Sequence, residues 1–391
     1  MPDPVPMRLT ARDILDRLVG FPTVSRDSNL PLIDWVEEYL AGHGIECHRH
    51  WSPDRTKSAL FAHVGPRVPG GVVLSGHSDV VPVEGQDWSS DPWTVVERDG
   101  RLYGRGTCDM KGFDALAIWA LVEGHYRGLT RPLQLALSYD EEVGCTGAPP
   151  LIAAMQAVLP QAELAIIGEP SRMKCVNGHK GGAGYRVQVK GYEVHSSLLP
   201  EGVSAIMEAA RLIGWINDRN TEVQARPVSA MAALFRPPFT TLHSGMIRGG
   251  TAHNITAADC EFVMEFRIVP GEAPQDWYGR WEAEVDRLRR AMQMVRPEAG
   301  ITLTQFFDVP PLVPETMGAA ETLMRRLTGD NATHVVSYGT EAGHFQTAGY
   351  SAVVCGPGDI AQAHQADEYL EVSEFRAGQG FMQSLLDELS T

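Results

Sequence analysis

The chain has 391 residues, 43% of them hydrophobic and 21% charged, and a formal net charge of −16. Those values fit an ordinary globular protein of about two domains and exclude a disordered chain; so acidic a balance also repels nucleic acid and anionic membrane surfaces. No apolar run approaches the ~18 residues of a membrane helix. The N-terminal stretch lacks the basic and apolar regions of a secretory signal. Six scattered cysteines without a CxxC pair are expected to be reduced thiols of a cytoplasmic protein.

In chain order, PLIDWVEEYLAGHGI (31–45) has helical periodicity and a glycine stop. GGVVLSGHSDVVPV (70–83) reads as a buried strand. GRLYGRGTCDMKGFDALAIWALVEGHY (100–126) passes from a turn into an apolar helix. LQLALSYDEEVG (133–144) and AELAIIGEP (162–170) are strands, with the helical GAPPLIAAMQAVL (147–159) between them. Strands separated by helices predict an α/β layer with a mixed, largely parallel sheet. From about residue 181 the texture changes to alternating strands and two long amphipathic helices in the order βαββαβ, a ferredoxin-like plan. VPPLVPET (309–316) reads as the way out of it, and strand–helix alternation then resumes to the end. The expected organisation is an α/β catalytic domain from 1–180 and 313–391, with 181–312 inserted as a lid or dimerisation domain.

Chemistry-bearing residues recur where apolar segments end. His77 and Asp79, two apart in a strand, would share a face, so that the carboxylate could hold one imidazole nitrogen while the other binds a metal. Asp109 lies between a glycine-rich turn and a helix, where the plain reading is an N-cap. Glu141 and Glu142 follow a strand directly; both can serve one site only where that strand breaks into a turn. Glu169 ends a strand, and His364 follows a Gly-Pro turn. Clustered carboxylates repel one another unless a cation lies among them. Two histidines with several carboxylates suit Zn²⁺ or a similar divalent ion, and a carboxylate bridging two such ions gives a two-metal hydrolytic arrangement.

GHSDVVP, GRGTCDMKG, DEEVGCTG, GEPS and the late AHQADE together resemble the M20 metallopeptidase and deacylase family, in the right order and over nearly the whole chain. The resemblance implies two divalent ions, zinc or cobalt. His77, Asp109 and Glu169 would hold one, and Asp109, Glu142 and His364 the other, with Asp109 bridging. Asp79 would orient His77, and Glu141 would be the general base. His195 would donate a hydrogen bond to the developing oxyanion from the partner subunit of a homodimer formed through the inserted domain; on plain grounds its segment, Ser196 and Ser197 above all, reads as the N-cap region of the helix VSAIMEAARLI (203–213). Asn254 and Arg267 would contact substrate, although a strand-end arginine also reads as a surface ion pair. Lys180 and Thr340 are further substrate candidates. Segments such as GQDWSSDPW and IRGGTAHNITAADCEFVMEFR look most like members that release ornithine from N2-acetyl-L-ornithine in arginine biosynthesis. The alternatives are another N-acyl-amino-acid deacylase or a dipeptidase. Desuccinylase relatives tend to carry paired arginines where this chain has His179 and Lys180, which argues against a succinyl substrate.

Overall fold

The computed structural model describes residues 7–391; the first six residues of the expected 1–180 segment lie outside them. The chain forms two compact units. The first runs to Gly178 and takes in Pro314–His334 and Thr340–Thr391; the second comprises His179–Val313 with Val335–Gly339.

The central sheet of the first unit includes, side by side, Cys47–Trp51, Ser58–Val64, Leu133–Ser138, Val72–His77, Leu164–Pro170 and Ser351–Gly356 of its eight strands. The last four of these six are parallel, with Val72 opposite both Leu133 and Leu164, and Leu164 opposite Ser351. These strands are buried along nearly their whole length, which is why they read as continuous apolar runs rather than as alternation. The helix Lys111–Arg127 packs against the sheet and is buried on almost every side, so it too lacks a polar face. Two glycines permit this close packing. A Cβ on Gly76 would lie 2.0 Å from Asp114 Oδ1, and one on Gly168 2.0 Å from the Phe113 ring. Each stands immediately before a strand-end residue of interest, His77 and Glu169, so the helix is drawn up beneath both.

The strand expected over 70–83 does not continue to residue 83; it stops at His77. The Ser78 N–H turns to the Ser138 carbonyl (3.0 Å) and Ser78 Oγ donates to the same oxygen (2.7 Å), which pulls the chain out of the sheet. The opening helix Ala11–Val19 was not anticipated. It has a capping box at Thr10 and Asp13.

The second unit holds a four-stranded antiparallel sheet in the order Thr241–Gly249, Asp259–Ile268, Gly181–Lys190, Gly300–Val309. Alternation is clean: Cys260, Phe262, Met264, Phe266 and Ile268 face a core shared with Ala209, Leu212 and Ile216 of helix Ala205–Gln224 and with Trp277, Trp281, Val285 and Leu288 of helix Pro274–Val295. The order βαββαβ follows the sequence expectation. Assigning 313–391 wholly to the first domain does not hold, because Val335–Gly339 returns to the second unit. Val335 packs on Ala232, Phe235 and Val269, Ser337 Oγ donates to the Arg236 carbonyl (2.6 Å), and the Lys180 N–H reaches the Val336 carbonyl (3.3 Å). Apolar contact and hydrogen bonding thus outweigh sequence adjacency. No helix among the described residues is long and apolar enough to cross a membrane.

Candidate metal centre

The carboxyl ends of the parallel strands converge in the first unit. His77 ends one strand and pairs with Ser138 at the end of the next. The register with Leu164–Pro170, continued two residues, brings Glu169 opposite His77, and His77 Nε2 lies 3.7 Å from Glu169 Oε1. Beyond Ser138 the chain breaks into a tight turn, with Asp140 and Cys145 at positive φ and the Glu141 carbonyl accepting from the Gly144 and Cys145 N–H groups (2.9 Å each). Lys57 pairs with Asp140 and tethers this turn. Glu141 and Glu142 are therefore not alternating strand residues and can serve one site.

Asp109 is central. Its Oδ1 lies 3.1 Å from His77 Nε2 and its Oδ2 3.1 Å from His364 Nε2; His364 Nε2 is also 3.0 Å from Glu142 Oε2. The N-cap reading of Asp109 fails, since Met110 holds that position and no side chain caps the helix. His77, Asp109 and Glu169 are almost wholly buried, whereas the His364 side chain is half exposed at 51%.

Asp79 orients His77 differently from the expectation. It is the Asp79 carbonyl that meets His77 Nδ1 (2.8 Å); the carboxylate is 3.7 Å away. That carboxylate instead accepts from Ser25 Oγ (2.7 Å) and from the backbone N–H groups of Glu141 (3.2 Å) and Glu142 (3.4 Å). Asp79 thus positions the imidazole through its main chain and the two-glutamate turn through its side chain. With Nδ1 donating to a carbonyl, Nε2 is the ring nitrogen that faces the carboxylates, the one a metal would take in place of its proton.

The residues fit divalent metal ions. Ligand atoms of His77, Asp109 and Glu142 lie within 4.8 Å of one another, as do those of His77, Glu141 and Glu169. Glu142 Oε1 and Glu169 Oε1 are buried without a hydrogen-bond partner, a costly arrangement unless a cation satisfies them. Protonation shows the same repulsion. Burial, with repulsion from Glu341 and Asp109, pushes the Glu141 carboxyl up to about 7 despite the opposing pull of His77. Burial and Asp109 push Glu142 to about 8. Burial and the neighbouring acids lift Glu169 well above the ordinary range. Asp109 goes the other way: burial opposes its ionisation, but hydrogen bonds from both imidazoles hold it ionised. Hydrogen bonds to Asp109 and Glu142 raise His364 to about 10.

These shifts set a pH dependence. Glu141 and Glu142 bind protons more tightly folded than unfolded, where their pKa is near 4.5. Such groups contribute stability at low pH that is lost as pH rises through the folded values. The metal-free chain is therefore expected to melt lower at pH 7 than at pH 5, by roughly 5 °C or more, and zinc is expected to raise the melting temperature more at pH 7. Calorimetry at both pH values with and without zinc measures this; a metal-free midpoint that climbs between pH 5 and pH 7 would refute it.

The remaining sequence candidates separate. In the second unit, His195 caps the short helix Ser196–Glu201, with Nδ1 accepting from the Ser197 N–H (3.3 Å) and lying 2.8 Å from Ser197 Oγ. The cap expected before the helix VSAIMEAARLI is not found there, since Ser204 holds that N-cap without a side-chain bond; the accepting Nδ1 of His195 puts the neutral ring's proton on Nε2. Asn254 is its neighbour: the Ser196 N–H donates to the Asn254 carbonyl (2.9 Å). Arg267 pairs with Glu265 (3.0 Å), the plain alternative. Lys180 is corrected: it is fully buried, its Nζ donates to the carbonyls of Pro237 and Phe239 (2.8 Å each), and burial lowers it to about 8. It presents no cation to a substrate. Thr340 is also buried, its Oγ1 accepting from the Ala342 N–H (3.1 Å) at the start of a short helix.

Sequence reasoning passed over Glu341, next to Thr340. It is 1% exposed, has Oε2 3.4 Å from Ser75 Oγ, and burial raises it to about 7. It also missed Cys145, whose thiol donates to Glu141 Oε1 (3.1 Å). A buried acid between small residues in YGTEAG was the available signal for Glu341; a cysteine four residues from a glutamate carries none.

Known proteins resemble this chain over nearly its whole length. The chain is 36% identical over 375 residues to an acetylornithine deacetylase from Myxococcus xanthus, covering 93% of each. It is 33% identical over 384 residues to one from Photorhabdus laumondii subsp. laumondii, covering 96% of each. Its fold matches a metallo-carboxypeptidase of the M20 family from Sulfolobus solfataricus with a TM-score of 0.77 at 15% identity, covering 98% of this chain and 99% of the other. The profile of peptidase family M20/M25/M40 matches residues 73–388, and on that breadth of agreement the chain belongs to this family of hydrolases.

Proposed function

We propose that the protein removes the acetyl group from N2-acetyl-L-ornithine, giving L-ornithine and acetate, with two divalent cations, zinc or cobalt, as cofactors. The observation that carries the hydrolytic reading is Asp109 reaching both imidazoles from its two oxygens, each of which faces a further carboxylate. The acetylornithine assignment rests on similarity to the two deacetylases.

His77, Asp109 and Glu169 would hold one ion, and Asp109, Glu142 and His364 the other. When bound, such ions polarise the amide carbonyl and make water a nucleophile near neutral pH. Glu141 takes a proton from the attacking water and returns it to the departing amine, a role suited to a carboxyl lifted to about 7. Cys145 and the Asp79-anchored turn hold that carboxylate in place. His195, supplied by a second copy of the chain, donates through Nε2–H to the developing oxyanion, and Asn254 lies close to it in the second unit. A homodimer through the second unit belongs to this reading. Its edge strand Thr241–Gly249 exposes Met246 and Ile247, and helix Ala205–Gln224 exposes Ile206 and Met207.

Side-by-side assay of acetylornithine, acetylmethionine, succinyl-diaminopimelate and simple dipeptides tests the substrate. Acetylornithine is expected to give a kcat/KM at least about tenfold above the others, a difference of about 1.4 kcal/mol in transition-state binding. A dipeptide or another acyl amino acid turned over as well would remove the substrate assignment and leave the hydrolase.

A further inference from the structure

Glu368 follows His364 by four residues and is 1% exposed. Its carboxylate is engaged by the loop that carries Asp109. Oε1 accepts from the backbone N–H groups of Cys108 (2.9 Å) and Asp109 (3.0 Å); Oε2 accepts from the Gly106 N–H (3.1 Å) and from Arg105 Nη1 (2.7 Å). Arg105 is fully buried. Its Nη1 also donates to the Gln365 carbonyl (3.4 Å), and its Nη2 donates to the Pro82 carbonyl (3.3 Å) and to Gln86 Oε1. Gln86 Nε2 in turn donates to the His364 carbonyl (3.0 Å). The strands on either side are zipped together: Tyr369–Glu371 pairs with Arg101–Tyr103, and the Gly104 N–H donates to the Glu368 carbonyl (3.0 Å).

A buried ion pair is rarely the most stable filling for its volume, since well-packed apolar residues often match or exceed it. What this one achieves is geometric. Three backbone N–H groups of one loop and Arg105 Nη1 converge on one carboxylate that belongs to the other loop, while Nη2 of the same guanidinium holds Pro82 and Gln86.

We infer that Glu368, with Arg105, is a positioning residue for the metal centre: it locks the Asp109 loop to the His364 loop and so fixes Asp109 Oδ2 and His364 Nε2 at the 3.1 Å separation observed. The inference rests on the reading of Asp109 and His364 as ligands. Glu368 coordinates nothing itself and acts through the Asp109 main chain.

Zinc titration of the metal-stripped full-length chain, by calorimetry and by competition with a chelator, tests it. Wild type is expected to take up two ions. Glu368→Gln, which keeps size and removes charge, is expected to bind one of them about 10- to 100-fold more weakly, the usual cost of losing a partner that orients a ligand. Arg105→Lys keeps the charge but loses the fork, and is expected to weaken the same ion by about 3- to 10-fold. Leu385→Ala, in the fully buried face of helix Val372–Leu389, serves as control: its melting temperature falls and its zinc affinities stay at wild-type values. Glu368→Gln binding both ions as tightly as wild type, or weakened no more than the control, would overturn the inference. Should Glu368→Gln not fold, unchanged zinc binding by Arg105→Lys overturns it equally. A wild-type chain that takes up no zinc would overturn the ligand reading itself, and this inference with it.

Discussion

Asp109→Ala is expected to abolish hydrolysis, lowering kcat/KM by at least about 10³-fold, the size that several kcal/mol of charge stabilisation represents. It is also expected to reduce bound zinc from two ions per chain to one or none after dialysis. This carboxylate reaches both imidazoles, at 3.1 Å on each side; in the proposed arrangement truncation would remove a ligand from both ions at once, whereas loss of Glu169 or Glu142 would affect one. Without it, Glu142 and Glu169 keep buried oxygens that lack partners. Elemental analysis alongside turnover measures both effects, with circular dichroism to confirm folding. A variant that folds, retains two zinc ions and hydrolyses substrate at a tenth of the wild-type rate would remove Asp109 from the bridging position.

Glu141→Gln separates proton transfer from metal binding. Turnover is expected to fall by about 10²- to 10⁴-fold, the range for a lost general base, while zinc content stays at two per chain and KM changes little. Glutamine keeps the side-chain length and can still accept from the Cys145 thiol, so the turn built on Asp79, Asp140 and Gly144 should persist. What disappears is a group able to hold a proton near neutrality. Activity within a fewfold of wild type would assign the proton transfer elsewhere, and Glu341, buried and also lifted to about 7, would be the first residue to examine.

The sequence carried the architecture well because the two units announce themselves by different periodicities. Continuous apolar runs ending in His77, Ser138 and Glu169 describe a parallel sheet buried on both faces, and the alternation through Asp259–Ile268 describes a sheet covered on one side only. It carried part of the cluster because His77, Glu141, Glu142 and Glu169 stand at or just after apolar runs; Asp109 and His364 follow glycine-containing turns, and their roles came from the family resemblance. The misses have a common cause. Whether Asp79 meets His77 through its carboxylate or its carbonyl depends on where the strand stops, and that is decided by Ser78 bonding to Ser138 across the sheet. Lys180 carries a charge that sequence reasoning directs toward a substrate, but two carbonyls about sixty residues away absorb it. Arg105 and Glu368 form a pair from opposite ends of the chain, with nothing in either local pattern to announce it.

The return of Val335–Gly339 to the second unit means that the polypeptide crosses between the units four times, not two. A cassette cut at residues 179 and 313 would be an incomplete module. It would leave behind Val335, which covers Ala232, Phe235 and Val269, and the hydroxyl that closes on the Arg236 carbonyl. An exchange of this unit that keeps its packing must therefore carry both segments together.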